Sequence, residues 1–82
     1  MNHRIYLLIY KERIDEINYE CSHSFVVIAD KTNEARLYCS DFTYLHHTGN
    51  KEDWVDKSVT TCTLIGYSNR KKGIVLESNR GA

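Results

Sequence analysis

Eighty-two residues make a single domain, 1–82, because either half would be too small to bury a core without disulfides or metal. Apolar residues at 41% and charged residues at 27% exclude wholesale disorder, and 11 basic against 11 acidic residues leave no global pull toward nucleic acid or anionic membrane. Cys21, Cys39 and Cys62 are odd in number and irregular in spacing, which excludes a secreted disulfide framework and leaves reduced thiols as the expectation.

From Arg4 to Lys11 the chain alternates Ile5, Leu7 and Ile9 with Tyr6, Leu8 and Tyr10, predicting a strand that is apolar on both faces. The uninterrupted apolar run, Ile5 to Tyr10, is too short for a signal-peptide core or a membrane span, so a cytoplasmic protein is expected. Lys11 to Ser22 is mostly polar, with Ile14 and Ile17 as exceptions, and reads as a long hairpin loop. It leads to a second strand, His23 to Ala29, whose Phe25, Val26, Val27 and Ile28 suit burial on both faces.

Asp30 and Thr32 then offer side-chain oxygens to the free amides of a helix's first turn, and Glu34 complements the dipole there. The helix is expected from about Thr32 to Asp41, with Ala35, Tyr38, Cys39 and Phe42 as its core stripe. Asp41 to Lys57 is polar and turn-rich, punctuated by Gly49 and Asn50 and anchored by Trp54, and reads as a loop lying across something. Val59 to Tyr67 and Gly73 to Ser78 predict a third and a fourth strand, joined as a hairpin by the polar SNRKK. The fold class is therefore α+β: a four-stranded, mostly antiparallel sheet with one helix packed on one face, in ββαββ order.

One helix leaves one sheet face without cover, and Tyr6, Tyr10, Val26, Ile28 and Tyr67 are the residues expected on it. Either the Asp41 to Lys57 loop closes over that face with Phe42, Tyr44, Leu45 and Trp54, or the face is an interface. The candidate partner-binding residues are Asp53, Trp54, Asp56, Arg70, Lys71, Lys72, Tyr6 and Tyr10. Tryptophan often dominates interface energy, and tyrosines suit amphipathic contacts. Asp53 and Asp56, with Asp41 and Glu52, make the middle segment acidic, so that it can offer carboxylates to a partner's arginines. Arg70, Lys71 and Lys72 concentrate cations at the hairpin tip, with Arg80 following, where a phosphate or acidic patch could sit. The plainer reading of both charge groups is a solvated surface.

No catalytic or cofactor motif is present, and no cofactor is expected. Cys21, His23, Cys39, His46 and His47 have the ligand chemistry for zinc, but they lack the two compact pairs of a structural site. Cys21 or Cys39 beside a histidine could act as a nucleophile, but nothing supplies an oxyanion hole, and buried thiols with solvated histidines are the expectation.

Together, IYLLIYK, FVVIADKTNEAR, EDWVDKSVT and GIVLES resemble small proteins encoded by bacteriophages and prophages. The layout is similar to that of compact α+β anti-CRISPR proteins, which share no motif from which a functional residue could be carried over. That resemblance implies a small non-enzymatic inhibitor in the host cytoplasm, occupying the surface of a host protein or protein complex. A homo-oligomer, here a dimer, enclosing a nucleotide or similar anion is the second reading, and a small zinc or thiol protein the third. Neither a membrane nor direct nucleic-acid binding is expected.

Overall fold

The computed structural model describes residues 2–11, 22–47 and 49–79. Its elements are β1 (His3–Tyr10), β2 (Ser22–Ala29), α1 (Thr32–His46), α2 (Lys51–Val55), β3 (Thr60–Ser68) and β4 (Gly73–Asn79). The strands form one antiparallel sheet in the order β3-β1-β2-β4, and both helices pack on one face of it. The α+β sheet-and-helix architecture read from the sequence is therefore the architecture of the chain. The expected loop between β1 and β2 lies outside the described residues. Among those described, no helix is long and apolar enough to cross a membrane.

The two strands with apolar residues on both faces, β1 and β2, occupy the centre of the sheet. Their register pairs Tyr6 with Val27 and Leu8 with Phe25 on the helix side, and Ile5 with Ile28 and Leu7 with Val26 on the other. Tyr6, Leu8, Phe25, Val27 and Ala29 join Ala35, Cys39 and Trp54 in the core, with Tyr10, Tyr38, Phe42, Cys62 and Ile74 packed around them. The predicted α1 stripe of Ala35, Tyr38, Cys39 and Phe42 faces this core.

Three features of the helical segment differ from expectation. First, α1 runs on to His46, ending where His47 takes a left-handed conformation (φ 54°) and its N–H donates to Thr43 O. No glycine or proline interrupts the chain before Gly49, so nothing stops the helix sooner. Second, neither Asp30 nor Thr32 caps it. Lys31 is the N-cap residue and provides no side-chain bond, while the Asp30 N–H donates to Glu34 Oε1 at 2.8 Å, so the local bond runs backward from the first turn. Third, the presumed loop holds a second helix, α2, capped by Asn50, whose side chain accepts from the Glu52 N–H.

That second helix widens the buried side of α1. Arg36, Ser40 and Thr43 lie beside the predicted stripe and are buried as well, because α2 packs against α1. Arg36 Nη1 donates to Trp54 O (3.1 Å) and Thr60 Oγ1 (2.7 Å), and Nη2 donates to Thr60 O (3.2 Å), tying α1 to α2 and β3. Trp54, only 1% exposed, then lies edge-on to Phe25 at 4.8 Å and to Tyr10 at 5.7 Å between ring centres.

The connection from β3 to β4 is not a hairpin, since those strands are the two edges of the sheet. Residues 69–72 pass the sheet end where β1 begins and β2 ends. Three strand spacings amount to about 14 Å, and the five Cα steps from Ser68 to Gly73 reach at most about 18 Å. The link is thus nearly taut. It ends on Gly73 at φ 138°, a conformation side chains other than glycine's rarely adopt.

Replacing Trp54 with alanine is expected to cost about 3–5 kcal/mol in equilibrium denaturation, a large part of the stability of a domain this small. Gly73→Ala should cost about 1–3 kcal/mol through backbone strain alone, because open space surrounds the position. A Gly73→Ala protein as stable as the parent would refute the strained turn.

Candidate functional site

With both helices on one side, the other sheet face is built from Ile5, Leu7 and Ile9 of β1, Ser24, Val26 and Ile28 of β2, Thr61 and Thr63 of β3 and Leu76 of β4. Cross-strand registers place Leu7 between Val26 and Thr63, Ile9 between Ser24 and Thr61, and Val26 beside Leu76. Ile28 is buried, Ile5, Leu7 and Val26 are half-buried, and Ile9 (38%) and Leu76 (61%) are exposed. No Asp, Glu, Lys or Arg of the strands shares this face. Arg4 pairs with Ala29 and Glu77 with Phe25, both on the helix side. His3 has the open-face parity at the strand's beginning, where its Nδ1 lies 2.6 Å from Asp30 Oδ1.

This face differs from the predicted set. Val26 and Ile28 do belong to it. Tyr6 and Tyr10 do not, because alternation along β1 sends them to the helix side with Leu8. Tyr67 lies opposite Arg4, on the helix-side parity of β1, and Arg4 Nη1 donates to Asp30 O at 2.8 Å. The middle segment does not cover the face either. Phe42 and Trp54 enter the helix-side core, whereas Tyr44 and Leu45 are exposed on α1, with Lys51 Nζ 4.7 Å above the Tyr44 ring.

Both sheet edges are irregular. Ile65 is an extra residue in β3 between the partners of Ile5 and Tyr6, and Val75 is an extra residue in β4 between the partners of Val26 and Val27. Such bulges bend an edge and interrupt its row of free N–H and C=O groups, which hinders strand addition. Ile65 and Val75 are themselves exposed and extend the apolar surface.

The predicted contact residues are not brought together. Tyr6 and Trp54 are interior, which removes both from the accessible surface. Tyr10 is half-buried and donates from its hydroxyl to Asp53 Oδ2, fastening β1 to α2. Asp56 is exposed and turns its carboxylate back on Ser58, accepting from the Ser58 hydroxyl (2.6 Å) and N–H (2.8 Å), which lower its pKa. Arg70 and Lys71 are exposed on the taut link. Lys72 is not a loose tip cation: its ammonium bonds Asp30 at 3.2 Å and Glu34 at 2.9 Å, pinning the link to the start of α1.

The metal and thiol candidates are likewise dispersed. Cys21 and the His23 side chain lie outside the described residues, as does Arg80. Cys39 is enclosed in the core, while His46 and His47 are exposed at the end of α1, His46 against the Phe42 ring. No group of three candidate ligands occurs among the described residues. Burial raises the pKa of both Cys39 and Cys62, which holds them as thiols.

Signals for the uncharged face were present in the sequence as the odd-numbered set of β1 and the even-numbered set of β2. Thr61, Thr63 and Leu76 were missed because their membership depends on strand order and on two bulges. Comparison of the chain with protein-family models, with curated proteins and with solved structures gives no match in any of the three.

The ionic cluster at the sheet end sets a pH dependence. Hydrogen bonds from His3 and then Lys72 lower the Asp30 pKa, and the Asp30 N–H and then Lys72 lower that of Glu34. Depressed carboxylates stabilise the fold above their ordinary values of 3.8 and 4.5, and this contribution is lost as pH falls below them. Lys72, raised by Glu34 and then Asp30, contributes below its ordinary 10.5 and loses that contribution above it. Thermal melts should therefore fall as the pH drops through the carboxylate range, and Lys72→Met should flatten that fall while lowering Tm at neutral pH. Parallel acid profiles for the two proteins would contradict this assignment.

Proposed function

We propose that this chain is a small non-enzymatic protein that works through protein–protein contact, with the uncharged sheet face as its docking surface. The observation that carries this reading is the composition of that face: aliphatic and hydroxyl side chains across all four strands and no Asp, Glu, Lys or Arg. An apolar surface of this breadth on so small a domain favours a protein partner. The same composition argues against an anion-sequestering sheet face, which would need cations there. The enclosure of Cys39 in the core argues against a thiol nucleophile there, since no substrate can reach it. The phage-protein resemblance adds a setting, inhibition of a host defence or other host complex by occupation of a surface, for which contact alone suffices.

Capture experiments with the immobilised chain test the surface. Leu76→Lys or Ile9→Lys is expected to reduce retention of bound protein, a second copy of the chain included, by about tenfold or more, since either places a charge in an apolar contact. Leu45→Lys, on the outer side of α1, should leave retention unchanged. Loss with Leu45→Lys alone would overturn the reading and move the contact to the helix.

A further inference from the structure

We infer that the partner on the uncharged sheet face is a second copy of this chain, packed face to face so that two four-stranded sheets form a two-layered sandwich. This inference rests on the reading of that face as a docking surface and names its occupant.

Four observations select a second copy. Among the described residues the face presents no Asp, Glu, Lys or Arg that would ask for an opposite charge on a partner, so it is complementary to itself, as a two-fold interface requires. The chain as a whole is neutral, with 11 basic and 11 acidic residues, so two copies approach without net repulsion. The size suits a weak, concentration-dependent association: four strands about 4.8 Å apart and about seven residues long give a footprint of about 450 Å², and pairing two such faces removes about 900 Å², the range of transient rather than permanent pairs. Finally, the bulges at Ile65 and Val75 interrupt both edges, so edge-to-edge pairing into a longer sheet is disfavoured while the face stays open.

In such a pair the aliphatic side chains of Leu7, Val26 and Ile9 lie at the centre, where each copy now leaves them half-covered or exposed. Sheets packed this way sit about 10 Å apart with their strands about 30° from alignment. The helices remain outermost, so Leu37, Tyr44 and Leu45 of both copies stay exposed on opposite sides of the pair.

The test is the mass of the full chain by sedimentation equilibrium across a concentration series, read together with binding of a dye that fluoresces on apolar surface. Leu76→Lys is the face variant, because its side chain is largely exposed in one copy and the fold does not depend on it, as far-ultraviolet circular dichroism would verify. A two-fold interface carries the substitution twice, so the expected result is a parent of twice the single-chain mass and a folded Leu76→Lys chain whose association is weakened at least tenfold. Leu45→Lys should keep the parent's mass. A dimer undisturbed by Leu76→Lys would overturn the inference. So would a single-chain mass at every concentration, and the dye then separates two cases. Dye bound by the parent and lost with Leu76→Lys leaves the docking surface standing with a different partner. A single-chain mass with no dye bound means that the face is covered within the chain, and the docking reading fails as well.

Discussion

Arg36 is buried with no ion pair to a carboxylate among the described residues, and the arrangement of the helix side depends on how its charge is satisfied. The guanidinium donates to two carbonyls and one hydroxyl, all from residues that belong to α2 or the start of β3. Thr60 extends the contact, since its hydroxyl also lies within hydrogen-bond distance of Asp53 O and Asp56 O. A planar fork is suited to this task because its donors point in fixed directions, where an ammonium would act as a single point charge. Arg36 Nε remains buried without a partner, as does Thr43 Oγ1, and each such group costs about 1–3 kcal/mol. The packing of Trp54 offsets that cost. Arg36 holds the backbone of α2 in place, and α2 in turn inserts the indole between Phe25 and Tyr10.

The consequence on the other side of the sheet is exposure. Phe42 and Trp54 are both drawn into the helix-side core, and Tyr44 and Leu45 stay exposed on α1, so none of these four lies across the second face. Strand order reinforces the separation of the two sides. Because β3 and β4 are opposite edges, the link between them runs along the sheet end, where Lys72 fastens it to Asp30 and Glu34. Cations that would decorate a hairpin tip are thereby split into Lys72, which is structural, and Arg70 and Lys71, which face solvent.

Much of the fold was legible in local pattern. Alternation marked β1 and β2 as apolar on both faces, and the structure makes them the central pair of the sheet. The α1 stripe followed from helical spacing. The capping residues were misassigned because Asp30 had a competing use: His3 and Lys72, distant in sequence, reach its carboxylate and leave the first turn to Glu34. The site residues were chosen for chemical character, aromatic or charged, and burial then removed Trp54 and Tyr6 from the surface. Tyr10 and Asp53 satisfy each other.

By itself the sequence determined that there would be four strands, a core-facing helix and an excess of apolar sheet surface, because alternation and helical spacing are properties of neighbouring residues. Tertiary structure alone decided which surface remained open and what it was made of. Membership of a face depends on strand order, on one-residue bulges and on which side a distant tryptophan enters. Each of these is fixed by contacts between segments tens of residues apart, such as Arg36 with Thr60 and Lys72 with Asp30.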